Sequence, residues 1–262
     1  MPSVSNIAVG ALVAGAAANK ARHGMNDSIA RLSTGLRSIN GGDAAGQSVA
    51  NTLEARSKSW AIAARNAEDG ISAAQTAESA LLEIAALAQR LRELGIQADN
   101  AALLDDDADE AALNAEATAI GTAIDAIVQK TTFNGIQLLD TDDVTKAVGV
   151  TDGGDTTTLT FKEINAATRT TAADADNSAD ITLKEVAISL GHVAAGIAAL
   201  KARQAVAYAA SANLAAAASR IEDTDFAKET ANLAKNSVLN QAAMAMVAQA
   251  NQAQSAILAV LQ

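Results

Sequence analysis

A chain of 262 residues with net charge −11 and only 2% aromatic residues is long enough for one or two domains but lacks the rings that fill thick globular cores. Its 30 Asp and Glu outweigh 19 Lys and Arg, which argues against nucleic-acid binding, since that needs a cationic face. Without cysteine it has neither a disulfide framework nor thiol chemistry.

Such a composition predicts long helices packed side by side through small apolar residues. The one proline is Pro2, so nothing interrupts them. The chain opens on "NIAVGALVAGAAA" (Asn6–Ala18), and its first charge is Lys20. A cleaved signal carries positive charge ahead of its apolar run, and a membrane span takes about 20 apolar residues. Neither is expected here, and no other stretch reads as a span. Met25, Ile29, Leu32 and Leu36 then form a predicted buried stripe.

"SINGGDAAG" (Ser38–Gly46) predicts a loop, with Asp43 as N-cap of the next helix. From Ala44 to Ala98 the pattern is one helix of about 50 residues, roughly 75 Å long, with a stripe of Ile84, Leu87, Leu91 and Leu94. Ile120, Ile124 and Ile127 mark another helix. Residues 140–180 change character to Thr, Asp and Val. There "TDGGD" (Thr151–Asp155) separates "VTKAVGV" from "TTTLTFKEI", which predicts a β-hairpin. Helix returns with Val186, Leu190, Val193, Ile197 and Leu200, and the seam continues through Ala207, Leu214 and Ile221. Repeated steps of four and three indicate helices wound as a coiled bundle.

No charged residue follows Lys235. In this last segment Leu239, Met246, Ile257 and Val260 form one stripe, and Met244, Val247, Leu258 and Leu261 a second beside it. Together they make a face wider than one helix partner covers. The two uncharged ends are therefore expected to pair with each other and with neighbouring molecules, and these eight residues are the expected self-assembly set.

The fold class that follows is mainly α: a long antiparallel coiled-coil helical bundle, a rod, with a small β-hairpin region and paired N- and C-terminal helices. Residues 1–38 and 222–262 are expected to form a terminal-helix domain. Residues 39–140 and 181–221 would form a helical rod domain, with 141–180 as its β excursion.

Few residues invite chemistry. His23 and His192 stand in helical surroundings, and "GGDAAG" lacks the Lys and Ser/Thr of a phosphate loop. "DADNSADITLKE" places Asp174, Asp176, Asp180 and Glu185 at calcium-loop spacing, but Ala179 occupies the position that should be glycine. An acidic helix start accounts for the same residues. "DDDADEAALNAE" (Asp105–Glu116) is a poorer imitation. No catalytic residue, cofactor or metal is expected.

"RLSTGLRSINGGDAAGQSVAN" (Arg31–Asn51) resembles the N-terminal signature of bacterial flagellins. The resemblance continues in "AARNAEDGISAAQTAESALLEI" (Ala63–Ile84), "QRLRELGIQADN" (Gln89–Asn100) and "TTFNGIQLLD" (Thr131–Asp140), and returns in "SRIEDTDFAKE" (Ser219–Glu229) and "AILAVLQ" (Ala256–Gln262). It departs before "AAG", where the family usually has an extra Lys-Asp type pair, and before Lys20, which is unusually small and apolar.

The resemblance implies a short flagellin without large outer domains, an extracellular structural subunit that polymerises into the flagellar filament for motility. Its terminal helices would form the inner tube. It also implies export without a cleaved signal, with an export chaperone, filament-cap and junction proteins as partners. In flagellins the face corresponding to Gln89, Arg90, Leu94, Gln97 and Glu116 packs laterally and is bound in free subunits by a vertebrate Toll-like receptor. The rival readings are a hook–filament junction protein and a signalling coiled coil.

Overall fold

The computed structural model describes residues 3–38, 41–100, 108–165 and 171–260. Five helices and two hairpins follow in the order α1 (Ser3–Thr34), α2 (Ala44–Ala98), α3 (Asp109–Lys130), β1 (Thr132–Phe133), β2 (Ile136–Gln137), β3 (Val144–Gly149), β4 (Thr156–Phe161), α4 (Ala175–Glu222) and α5 (Phe226–Val260). A 3-10 turn, Ala172–Asp174, leads into α4. The expected helical bundle is present, and the chain gathers into two compact units. One is Met1–Ala55 with Leu214–Gln262; the other is Arg56–Asn213.

In the second unit α2 and α4 run antiparallel at close range. Ser57 Oγ donates to the Ser211 carbonyl at 2.9 Å, and Leu200 lies against Gly70. Gly95 meets the backbone of Asp176, where a Cβ would sit 2.4 Å from the amide nitrogen. The core joins Leu81, Ile84, Leu91 and Leu94 of α2, Ile120, Ile124 and Val128 of α3, and Val186, Val193 and Leu200 of α4. The seam read for α4 is therefore buried as its periodicity requires.

Strands β3 and β4 pair antiparallel from Val144↔Phe161 to Gly149↔Thr156, around the expected Thr151–Asp155 turn. Leu159 and Phe161 face inward, and Leu159 packs over Gly196, where a Cβ would lie 2.6 Å from its Cδ2. Arg56 Nε donates to Asp152 at 2.7 Å, fastening the turn to α2. A second hairpin, β1–β2, was not anticipated. Its two central residues, Asn134 (φ 50°) and Gly135 (φ 75°), are both left-handed, as the tightest hairpin turn requires.

Two further expectations change. Helix α3 and the stretch Ala172–Glu222 are apolar and long enough to cross a membrane by length and composition, although the sequence reading found no span there. Alanine supplies much of that apolarity, and the larger side chains Ile120, Ile124, Val186 and Val193 are buried in the core. In α1 the buried residues are Ala14, Ala18, Ala21 and Ser28, whereas Ile29 is 49% exposed. Of the expected stripe, Ile29 alone turns outward, while Met25, Leu32 and Leu36 are half-buried; the fully buried positions are the small ones.

Candidate functional site

In the first unit α1 packs along α5 in antiparallel fashion. Arg31 reaches Glu229 at 3.5 Å, and Asn236 covers Gly24. The half-buried and buried positions of α1 include Ala11, Ala14, Ala18, Ala21, Met25, Ser28 and Leu32. Those of α5 include Glu229, Leu233, Asn236, Asn240, Ala243, Val247 and Ala250. Both sets step by threes and fours, a heptad seam. Its residues are unusually small and polar for that role.

Many of the large apolar side chains point elsewhere. Val9, Leu12 and Val13 on α1 are 52%, 72% and 64% exposed, and Val238, Leu239, Met244 and Met246 on α5 are 65%, 48%, 51% and 65% exposed. A helix of a soluble protein normally turns such residues inward; this pair turns them out. A groove of about 1050 Å³ runs beside the seam, lined by Val13, Ala17, Leu239, Ala242 and Met246 among others. Of the expected self-assembly residues, Leu239, Met244 and Met246 are on the exposed side and Val247 is half-buried in the seam. The side chains of Ile257, Leu258 and Val260, and all of Leu261, lie outside the described residues. Val9, Leu12, Val13 and Val238 were missed. The uncharged opening run was their signal, but alternation with alanine hid its outer face.

The join between α1 and α5 is tightly hydrogen-bonded. Thr224 N donates to the Gly35 carbonyl at 2.8 Å and Arg37 N to that of Glu222 at 2.7 Å. Asp43 caps α2 as expected: its Oδ1 accepts from Gly46 N at 2.9 Å, and Arg37 donates to its other oxygen at 2.7 Å. Both bonds hold its carboxyl below the ordinary range, the Gly46 amide contributing most.

On α2, Arg90 donates through Nε and Nη2 to Glu116 Oε1 of α3 at 2.9 and 2.8 Å, and through Nη1 to Glu93 at 3.0 Å. Gln89, Arg90, Gln97 and Glu116 are exposed. Leu94 differs: it is fully buried with Leu91 and Ile84. The expectation that it shares the face of Arg90 and Gln97 is corrected, because the four-residue step carries it round toward the core side.

The acidic segment is helical from Ala175, and Ala179 is buried in the core. Asp180 pairs with Arg92 at 3.0 Å, Glu185 accepts from Asn165 N at 2.9 Å, and Asp174 accepts from Thr171 Oγ1 at 3.3 Å. Asp176 accepts from the Asn177 amide. A helix cannot wrap these carboxylates around one ion as a calcium loop does. Among the described residues no group of three or more His, Asp or Glu could hold a metal.

Comparison with known proteins fits this geometry. The bacterial flagellin N-terminal helical region matches residues 6–143 and the bacterial flagellin C-terminal helical region matches residues 178–261. The flagellin of Halalkalibacterium halodurans is 38% identical, over 88% of this chain and 89% of its own length. That of Bacillus subtilis is 35% identical, over 88% and 90%. A crystal structure of Bacillus cereus flagellin aligns with TM-score 0.40 at 26% identity, covering 57% of this chain and 88% of that one. The chain belongs to the bacterial flagellins, the structural subunits that polymerise into the flagellar filament.

Proposed function

We propose that this subunit enters the filament through the exposed apolar faces of α1 and α5, which neighbouring copies cover. The observation that carries this is the inverted helix pair, with alanine, serine and asparagine inside and Val13, Leu239, Met244 and Met246 outside. Each large apolar side chain removed from water contributes about 1.5–3 kcal/mol, so these faces are worth more in a polymer than alone. In the free subunit the thin seam offsets little of the ordering entropy, and the two helices are expected to order fully only on assembly. On this reading residues 1–38 and 222–262 act as the inner-tube domain, and 39–140 with 181–221 as the outer rod carrying the 141–180 excursion.

The exposed Gln89, Arg90, Gln97 and Glu116 surface would serve lateral contacts in the filament and, in free subunits, a Toll-like receptor. Export without a cleaved signal, a chaperone during export, and capping and junction proteins at the filament ends complete the proposal. No catalytic role is assigned. A junction-protein role is disfavoured, because the flagellin regions match along both flanks. Deleting residues 243–262 tests the reading: the second unit should stay folded by circular dichroism while filaments vanish from electron micrographs. Normal filaments from the truncated chain would overturn it.

A further inference from the structure

We infer that Asn236, Glu229 and Arg31 are positioning residues for assembly, fixing the register in which α5 lies on α1. This rests on the reading that the outer faces of that pair are the subunit contacts. The stretch Ala11, Ala14, Ala18 and Ala21 contributes little to register, because its side chains are too small to lock into holes on α5. Register in coiled helices is set instead by isolated polar residues, at some expense of stability. The α1–α5 seam carries them at defined heights.

Asn236 sits over Gly24, its Nδ2 only 2.7 Å from where a Cβ would be. In the arrangement seen, the asparagine amide fills the space that a side chain at position 24 would take. A one-heptad slide sets it against Ala17 or Arg31, and only a two-heptad slide finds another glycine, Gly10. The pair at the join removes that ambiguity. Glu229 is 6% exposed, and its Oε1 lies 3.5 Å from Arg31 Nη1. Neither that oxygen nor Arg31 Nε has a hydrogen-bond partner. A two-heptad slide would set Glu229 against Ala17, away from the Arg31 guanidinium. Asn240 adds another buried, unpartnered oxygen one turn along. A seam selected for strength alone would hold none of these groups; a seam selected for register holds them where the helices are otherwise interchangeable. The consequence is functional, because register decides which residues of α1 flank Leu239 and Met246 along the shared groove.

The absence of native cysteine permits a direct test in filaments of the full chain. Ala18→Cys with Ala243→Cys reports the observed register. Ala18→Cys with Ala250→Cys, and Ala11→Cys with Ala243→Cys, report slides of one heptad in either direction, about 10 Å away and beyond disulfide reach. With the native seam only the first pair should cross-link on oxidation. Adding Asn236→Leu and Glu229→Leu together should raise the slipped cross-links about tenfold or more, as lost discrimination of that order implies. Slipped yields unchanged from the native seam would overturn the inference. The charge exchange Arg31→Glu with Glu229→Arg guards against a variant that fails to assemble. It should restore assembly and native-only cross-linking where either single change does not, and a double variant no better than the singles would also overturn it. The reading beneath fails separately, if the chain truncated at residue 242 still forms normal filaments.

Discussion

Replacing Gly95 by alanine sets two effects of opposite sign against each other. In an open helix the change would stabilise by about 1 kcal/mol, since glycine is a poor helix former. Here the new Cβ would lie 2.4 Å from Asp176 N, 2.8 Å from its Cβ and 2.9 Å from its Cα, against 3.4–4 Å for ordinary contact. Helices α2 and α4 must therefore part by about 1 Å at this crossing, and the nearest obstruction is backbone, which cannot rotate aside. Overpacking of this kind costs about 1–3 kcal/mol, so the net expectation is a loss of up to about 2 kcal/mol. For a unit of this size that corresponds to a fall in Tm of up to about 8 °C. Thermal melts followed by far-UV circular dichroism and by Trp60, the one tryptophan, provide the assay. A Tm raised by the substitution would mean that propensity wins, refuting the claim of a close helix crossing.

Arg90→Ala should change the melting temperature little, because solvent-exposed ion pairs such as Arg90–Glu116 contribute little to stability, while weakening both lateral filament contacts and receptor binding by monomers. Receptor titration and seeded polymerisation measure this, and undiminished activity in both would remove the face from the proposal. The Asp43 cap gives a pH dependence of definite sign: its depressed carboxyl supports the folded loop above the ordinary aspartate range, and that support is lost as pH falls through the lower folded value. Melts of wild type and Asp43→Asn from pH 6 downward should converge under acid; parallel curves would contradict it. Calorimetry with micromolar calcium should show no heat of binding, and a signal abolished by Glu185→Gln would restore the loop reading of 174–185.

Much of the bundle was legible because its cores follow one rule. In α4 the steps Val186, Val193, Leu200 and Ala207 are buried as periodicity demands, since a single inner face uses the large residues. The same rule held only in part in α1, where Met25 and Leu32 are half-buried. There Ile29, Val13 and Leu12 are exposed and Ala14, Ala18 and Ala21 are buried, because a chain that assembles has two sets of partners and reserves bulk for the outer one. Periodicity locates stripes without saying which stripe meets which partner. Leu94 was misplaced for a related reason: a four-residue step from Arg90 overshoots a full turn, enough to cross from rim to core. The β1–β2 hairpin escaped notice although Asn134-Gly135 is a strong turn signal, because two-residue strands show no alternation. Gly95 is where α2 closes on α4.

The claim that matters most is that neighbouring subunits cover the outward faces of α1 and α5. Peroxide oxidation of Met244 and Met246, 51% and 65% exposed on the lone chain, measures this by mass spectrometry of the same protein as monomer and as filament. Expected is ready oxidation of both in the monomer and a fall in rate of about tenfold or more in the filament, as burial in a packed interface excludes oxidant. Equal rates in the two states would place those faces outside the subunit contacts and contradict the assembly mechanism.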